Sequence, residues 1–525
     1  MKLSIGLLKP DVHWTHWLRQ SGIPFDITGD SAQQLADFPA IVINDTALFH
    51  PAKIQKYVTD GGCAICEASV AETIFVVPTR RLKITHLQPA NDIFFNHLPA
   101  VQLPLNSRVA TSANALTNQN GTFTTAVLPF GDGKIVIFPD GFAAASATFR
   151  TRRVNFPRYG GERFPSERVC AVDKSGLRKI VFSAIVQLFA HRKLPLVFCW
   201  PFADGATSRF SFRIDTDFAH PNEITALHDL LKKHNISATW FVETRSAQNH
   251  IDLFAKMTNQ EIALHCFRHA IFDTTGENAR DIRRGLNILQ HAGIRPKGFA
   301  APFGEWHPQL AAAISGQQFG YSSEFAPGYD DLPSWPAIGD GFSETLQIPV
   351  HPVSTGRLHW AKHSPAQMID YYRATIDRQV AANDPVILYH HPGQKNLAVF
   401  DSIFEYIRAK KIPAGTMAEF AEWWQFRDQL NWRADWSDNQ LNLAVEHPSE
   451  KARLAVIFPG EKCRLFQFAD QIIDDTTDAV QRDYQQSVTQ NAPGEQHKYT
   501  AQMLVHDITW RYSRWKQIRK AKSNE

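Results

Sequence analysis

The sequence predicts a mixed α/β protein built from three domains. Two stretches, residues 1–200 and residues 207–424, alternate short β-branched runs with amphipathic helical segments, a pattern typical of parallel sheets with helical crossovers. After about residue 430 apolar and polar residues alternate with period two, which predicts a small β-rich domain over residues 430–525. A chain of 525 residues has room for three domains of ordinary size.

The composition is that of an ordinary globular protein. Hydrophobic residues make up 44% and charged residues 20%, which excludes the disordered, collagen-like and disulfide-scaffold classes. Lys plus Arg number 55 against 52 Asp plus Glu, and the net charge of +3 is too small for a general polyanion-binding field. We therefore expect no nucleic-acid partner. The 13 Trp and 36 Phe provide material for large cores and for surfaces that stack on sugar rings.

Residues 1–200 are expected to form an open, mostly parallel sheet. The predicted strands are apolar throughout and include LSIGLL, AIVIND and AICEAS, while helices are expected around Trp14–Gln20 and from about Asp173 to His191. This pattern resembles the flavodoxin-like fold of glutamine-amidotransferase-like domains. The resemblance implies a catalytic Cys with a partner His, and no such set stands out here, so we interpret the domain as non-catalytic.

The six cysteines and the N-terminus favour a cytoplasmic protein with reduced thiols. Cys63 and Cys66 form a CxxC motif, which can mark a redox pair or half of a zinc site, but no second CxxC follows. Their surroundings are typical of a buried strand, so we expect structural residues. The N-terminal apolar run is short for a signal peptide, and no stretch approaches the roughly 18 apolar residues of a membrane-spanning helix.

Residues 207–424 carry the clearest helix signals. Ser364 and Thr416 begin capping boxes, and Pro221 opens a helix whose apolar residues share one face. Repeated strand–helix units predict a barrel-like parallel sheet. Active sites in such sheets lie at the C-terminal ends of the strands, so polar residues at those ends are the first candidates for chemistry.

Three polar motifs lie at predicted strand ends. The first is Asp215 with Asp217, two carboxylates on the same side of an extended strand, which is unfavourable unless a cation or a proton separates them. The second is His265 with His269, which can chelate one metal ion if the backbone turns helical between them. Each also has a structural interpretation, since a DxD often caps a turn and an HxxxH pair often belongs to a core.

The third motif is His390 with His391 at the end of the predicted strand PVILYHH. Alone, this pair is more often a satisfied pair in a loop. Three such motifs at successive strand ends are harder to explain structurally. Two histidines and one carboxylate form the ligand set of an open catalytic metal site that keeps room for water.

In these motifs the sequence resembles the polysaccharide deacetylases with a NodB-homology domain. The resemblance implies a distorted (β/α) barrel and a divalent metal, most often zinc, used to remove N- or O-acetyl groups from glycans. It implies Asp215 as the general base, and Asp217, His265 and His269 as the metal ligands.

The resemblance also implies a substrate groove. Pro302, Phe303 and Gly304 are similar to the family's groove motif, in which a backbone amide near Phe303 would face the oxyanion. Aromatic side chains that we expect in the groove wall, with core packing as the alternative for each, are Phe303, Trp306, Trp335 and Trp360.

The family's general acid has a match in this sequence, but the Arg that orients the family's catalytic Asp does not. His390 matches the acid of the final motif, and His391 is the alternative because a shift of one residue turns a side chain to the other face. The groove motif of the family begins with an Arg that orients the catalytic Asp, and this sequence has Ala300 there. Another cation, such as Arg213 or Arg268, would have to take over that task.

The C-terminal segment is basic. Six of the twelve residues from Arg511 to Lys522 are Lys or Arg, interleaved with Tyr512, Trp515 and Ile518. A basic amphipathic helix of this kind can lie on an anionic membrane surface. The structural alternative is a solvated helix that packs its Trp against the β-rich domain.

The sequence thus predicts a zinc-dependent hydrolase that removes an N-acetyl or similar acyl group from a carbohydrate, as a glycan or a precursor of a surface polysaccharide. One alternative is a deformylase or another C–N amide hydrolase on the same fold. A second alternative is an inactive glycan-binding scaffold, which the departure at Ala300 favours.

Overall fold

The computed structural model describes residues 1–523 except residues 47–49, 91–93, 395, 475–476, 478 and 484–499. Within these ranges the chain folds into an N-terminal α/β domain, a central parallel sheet and a set of antiparallel strands. Within the same ranges, no helix is both long enough and apolar enough to cross a bilayer.

The N-terminal domain is an open sheet in the order β2-β1-β3-β4-β8-β7, parallel except for β7. This order begins as in flavodoxin-like folds. The strands up to residue 199 are β1 Ile5–Leu7, β2 Phe25–Ile27, β3 Ala40–Ile43, β4 Cys63–Glu67, β5 Thr79–Leu87, β6 Val101–Ala110, β7 Ala126–Phe130, β8 Gly133–Phe138, β9 Thr151–Asn155, β10 Ser166–Cys170 and β11 Leu196–Cys199. The helices are α1 Val12–Ser21, α2 Ala32–Ala36, α3 Pro51–Thr59, α4 Ala68–Phe75 and α5 Lys174–His191.

The cysteines are structural, as predicted. Cys63 and Cys66 lie on β4, fully buried between parallel neighbours, and all six thiols are free and buried. Burial raises the pKa of the Cys63 and Cys66 thiols, which disfavours the reactive thiolate.

The central domain is a curled sheet of seven parallel strands in the order β19-β16-β15-β14-β13-β12-β20. Its strands and one short hairpin, β17–β18, are β12 Phe210–Asp215, β13 Thr239–Glu243, β14 Glu261–Cys266, β15 Gly298–Phe299, β16 Tyr321–Ser322, β17 Ala337–Ile338, β18 Gly341–Phe342, β19 Leu346–Gln347 and β20 Val386–His390. Its helices are α6 Pro221–His234, α7 Thr244–Ala247, α8 Asp252–Ala255, α9 Thr275–His291, α10 Pro308–Ser315, α11 Thr355–Trp360, α12 Pro365–Ala381, α13 Leu397–Ala409 and α14 Met417–Asp428.

This sheet is a distorted (β/α) barrel, as predicted. The segment after β19 reaches the opposite edge strand, where His351 N donates to Ile387 O at 2.8 Å. The predicted capping boxes at Ser364 and Thr416 are both formed, and they begin α12 and α14. The helices pack around the outside of the sheet. In barrels of this kind the active site lies at the C-terminal ends of the strands.

The third region is β-rich, but it takes one strand from outside its predicted range. Its strands are β21 Trp432–Ser437, β22 Gln440–Val445, β23 Ser449–Ile457, β24 Cys463–Phe468, β25 Gln471–Ile473 and β26 Val480–Arg482. Strand β11, which the sequence pattern placed in the first domain, pairs antiparallel with β23. The boundary at residue 200 is therefore wrong for this strand, because a short apolar strand does not reveal its partner.

The C-terminal helix, α15 Ala501–Ser523, lies across the end of the barrel. There Trp510 contacts Phe303, and Ala521 packs with Ala270 and Phe272. The expectation that it belongs with residues 430–525 is corrected in this respect.

Candidate active site

The motif residues meet at one end of the barrel because they follow neighbouring parallel strands. Asp215 is the last residue of β12, and Asp217 follows in a turn with a positive φ of 26°. His265 lies on β14, and His269 follows that strand. His391 comes directly after β20, which pairs with β12.

Asp217 is the centre of this group. Its Oδ1 atom lies 3.1 Å from His265 Nε2 and 3.2 Å from His269 Nε2, and its Oδ2 atom lies 3.2 Å from His391 Nε2. The side chain of Asp217 is 26% exposed while the His265 ring is buried. The cluster is therefore open to solvent on one side.

Asp217, His265 and His269 fit a metal ion. One ligand atom from each lies within 4.8 Å of the others. Ligands held about 2.0–2.2 Å from a tetrahedral ion lie roughly 3.3 Å apart, close to the two measured carboxylate–imidazole distances. Two imidazoles and one carboxylate leave the fourth position free, which is the donor set of a catalytic zinc site.

Both histidines of this set are held through their second ring nitrogen. His265 Nδ1 donates to the carbonyl oxygen of Ala300 at 2.7 Å. His269 Nδ1 donates a hydrogen bond to Oε1 of Gln517 on α15 at 3.3 Å. A proton on Nδ1 leaves Nε2 of each ring with a free lone pair directed at the cluster, as metal ligation requires.

Arg213 is the cation that holds Asp215. Its Nε and Nη2 atoms donate to the two carboxylate oxygens at 2.7 and 2.8 Å, and Nη1 donates to Ser323 Oγ at 3.1 Å. Burial would raise the pKa of Asp215, but the Arg213 charge outweighs it and the pKa lies below its ordinary value. Arg268, the other candidate, pairs with Asp281.

The adjacent histidines point in opposite directions. His391 faces Asp217, whereas His390 is buried, with its ring 4.6 Å from that of Phe400 and its Nδ1 atom 3.3 Å from Thr355 Oγ1. Consecutive residues of a strand face opposite sides of the sheet, so only one of the two can reach the site. The geometry favours the alternative, His391, as the residue that faces substrate.

Gln394 sets the tautomer of His391. Its Oε1 atom accepts from Gly356 N at 3.0 Å, which leaves its amide nitrogen 2.8 Å from His391 Nδ1 as a donor. When His391 is neutral, its proton therefore lies on Nε2, directed at the cluster.

The groove motif forms a tight turn beside the cluster. Pro302–Gly304 is a single 3-10 turn in which Phe303 has a φ of 61°, and its ring lies 4.8 Å from that of His269. Gly304 has a φ of 62°, and a Cβ there would lie 2.4 Å from the Phe325 ring, so glycine is required. The amide of Gly304 donates to Ala301 O at 3.1 Å and is used within the turn.

Two of the aromatic groove candidates lie elsewhere. Trp306 is 5% exposed and packs at 4.1 Å on Phe149, so the expectation that it lines the groove is wrong. Trp335 packs against Arg19 of the first domain. Trp360 is exposed, and its ring lies 5.9 Å from that of His506 on α15.

Glu324 is a buried acid near the site that no motif indicated. It accepts hydrogen bonds from Ala301 N at 3.0 Å and from Gln347 Nε2 at 2.6 Å, which supports the turn after Ala300. Burial raises the pKa of Glu324 to about 7. Its sequence signal is an acid shortly after the short strand β16, which is too common to be specific.

Part of the central domain matches a known protein family. Residues 211–322 match the polysaccharide deacetylase family. A segment of 96 residues is 29% identical to an uncharacterized Bacillus subtilis protein, YlxY, and spans 17% of this chain and 30% of that relative. The matched range contains Asp215, Asp217, His265, His269 and the Phe303 turn.

Three solved structures are similar to part of the chain. A Mycobacterium smegmatis protein assigned as a polysaccharide deacetylase is 22% identical, with 43% of this chain and 92% of that one covered at a TM-score of 0.37. A Streptomyces lividans family 4 carbohydrate esterase with acetate is 16% identical, covering 41% and 93% at 0.29. A Bacillus anthracis CE4 family pseudoenzyme is 18% identical, covering 41% and 65% at 0.30.

Proposed function

We propose that the protein is a zinc-dependent hydrolase that removes an N-acetyl group from a carbohydrate, because residues 211–322 match the polysaccharide deacetylase family. The observation that carries this proposal is the convergence of Asp217, His265 and His269 beside an Arg-bound Asp215. This set combines a metal site with a free position and a separate base, which amide hydrolysis requires.

In the proposed reaction the metal site, Asp215 and His391 have separate roles. Asp217, His265 and His269 would hold the zinc ion, which would supply a Lewis acid and lower the pKa of a bound water. Asp215, kept ionised by Arg213, accepts a proton from the attacking water. As the C–N bond breaks, Asp215 passes this proton to the leaving nitrogen, while His391 keeps its own Nε2 proton and donates a hydrogen bond toward that nitrogen.

The substrate and the place of reaction are also part of the proposal. All six cysteines are free thiols, which favours a reducing compartment such as the cytoplasm. A cytoplasmic deacetylase would act on a lipid-linked or nucleotide-linked sugar used in the synthesis of a surface glycan. Phe303 and Trp360 are then the aromatic side chains available to stack on sugar.

A direct test uses N-acetylglucosamine oligomers as the probe. We expect the purified chain to release acetate, to lose turnover after treatment with a chelator and to regain it with zinc. Release of formate from N-formyl glucosamine, without acetate release, would favour the deformylase alternative. Absence of both activities together with absence of bound zinc would favour the inactive scaffold.

A further inference from the structure

The C-terminal helix α15 lies against the proposed metal site with one face. The residues on this face recur at spacings of three and four along the helix, which places them in one line. They are Met503, Asp507, Trp510, Arg514, Gln517 and Ala521.

Three contacts fix α15 around the site. Asp507 accepts from Arg153 Nε at 2.9 Å, and Arg153 is buried in the β9–β10 hairpin. The Arg168 guanidinium lies 4.6 Å from the Trp510 ring. At the other end, Arg268 donates to the backbone oxygen of Ala521.

The decisive contact is the one between Gln517 and His269. His265, the other proposed histidine ligand, is held by the backbone carbonyl of Ala300 inside the barrel. His269 is held instead by α15, because its Nδ1 atom lies 3.3 Å from Gln517 Oε1. We propose that Gln517 is a positioning residue that orients His269 for metal binding. The helix that carries it lies outside the matched family segment, and the inference rests on the metal site of the proposed function.

Trp510 extends the same role to the groove. Its ring lies 6.3 Å from that of Phe303 in a T-shaped arrangement, and the Phe303 ring contacts His269. Helix α15 therefore forms one wall of the site, while the Asp217 side chain stays 26% exposed.

The test measures zinc affinity of the full chain by competition with a chelator, without substrate. Gln517→Ala removes the acceptor, and we expect affinity to fall about 10–100-fold, the usual effect of losing such a partner. Gln517→Glu keeps an acceptor and should retain affinity. Lys516→Ala, on the exposed side of the same helix turn, is the matched control and should bind zinc like the wild type.

Unchanged affinity in Gln517→Ala would overturn the positioning role. Equal losses in Gln517→Ala and Gln517→Glu would overturn it as well, because the contact would then act through packing alone. A chain that binds zinc tightly but releases no acetate would refute the proposed function while leaving this comparison readable.

The opposite face of α15 carries a second, independent observation. It exposes a line of apolar side chains, each 51–60% exposed. They are Leu504, Val505, Ile508, Tyr512 and Trp515. The cations Arg511, Lys516 and Arg519 lie among and beside them, and the only acid among the described side chains of this helix, Asp507, is paired on the inner face.

We infer that this outer face docks on an anionic lipid surface. An exposed apolar line between cations is complementary to acyl chains beneath anionic headgroups, and it offers no acid to repel them. Docking would bring the groove walled by α15 close to the membrane, where a lipid-linked sugar is presented.

Vesicle co-sedimentation tests this inference with phosphatidylcholine alone and with added phosphatidylglycerol. We expect the full chain to sediment only with the anionic vesicles, and less so in high salt. Ile508→Ser with Trp515→Ser should abolish binding, and Arg511→Gln should weaken it about fivefold. Ile472→Ser with Val480→Ser, two exposed apolar residues of the β-rich domain, is the matched control.

Three results would contradict membrane docking. They are no sedimentation of the wild type, equal sedimentation of the Ile508/Trp515 double variant, and a concentration-dependent dimer that this double variant abolishes. The last result would assign the outer face to a second copy of the chain.

Discussion

At the residue scale, Arg213 replaces the cation that the groove motif lacks at Ala300. Residues 213 and 215 share one side of β12, so the guanidinium reaches both oxygens of the base from its own strand. The sequence offered Arg213 and Arg268 together as candidates for this task. The choice over Arg268 required the structure, because only packing shows that Arg268 is bound by Asp281.

Substitution of Arg213 tests this role. We expect Arg213→Gln to lower kcat about 10–100-fold, because the base loses its orientation. Arg213→Lys keeps the charge but not the two-bond geometry, so it should restore only part of the rate. Zinc content should stay at the wild-type level in both, and an unchanged kcat in Arg213→Gln would show that Asp215 is oriented by something else.

His390 and His391 can be separated in the same way. His391→Ala should lower kcat by about 10²–10⁴ with bound zinc and stability retained, because it removes a group that faces the leaving nitrogen. His390→Ala should mainly lower the melting temperature, because it leaves a cavity against Phe400 that costs about 2–4 kcal/mol. The reverse pattern in steady-state kinetics and thermal unfolding would return the role to His390.

At the scale of elements, local sequence signals predicted most helices but not which elements pack or pair with one another. The capping boxes at Ser364 and Thr416 mark α12 and α14 correctly, because a cap depends on neighbouring residues only. The pairing of β11 with β23 and the docking of α15 on the barrel depend on contacts distant in sequence. For the same reason no motif pointed to Gln517 or Glu324.

Helix α5 offers a test of electrostatics at its N-cap. Asp173 accepts from Gly176 N at 2.9 Å, and burial raises its pKa to about 6, with Lys179 opposing and Asp330 and Asp331 adding to the rise. The folded state then binds its proton more tightly than the unfolded state. Stability should therefore fall as pH rises from about 4 to 6, and the penalty should persist above that range.

Asp173→Asn keeps an acceptor at the cap and removes the charge. We expect it to stabilise the protein by about 1–3 kcal/mol at pH 7.5 and to have little effect below about pH 4. Asp173→Ala also removes the charge but loses the helix cap, so its gain in the free energy of unfolding should be smaller. Thermal unfolding across this pH range measures both, and a gain for Asp173→Asn that is independent of pH would refute the linkage.

At the scale of the whole molecule, the site is assembled from more than the predicted catalytic domain. The barrel supplies the base, the ligands and His391, and these were predictable because strand ends of a parallel sheet converge. One wall of the groove comes from α15, which follows the β-rich domain in sequence. An ion pair between Arg153 and Asp507 joins α15 to the first domain. The groove is thus shaped by the barrel and α15, and the first domain holds α15 in place.

The central claim is that Asp217, His265 and His269 hold a zinc ion beside the base Asp215. The most direct measurement is zinc content and acetate release from N-acetylglucosamine oligomers for the wild type, Asp217→Ala and Asp215→Asn. We predict about one zinc per chain and turnover in the wild type, loss of both in Asp217→Ala, and zinc without turnover in Asp215→Asn. Full zinc content in Asp217→Ala, or wild-type turnover in Asp215→Asn, would contradict it.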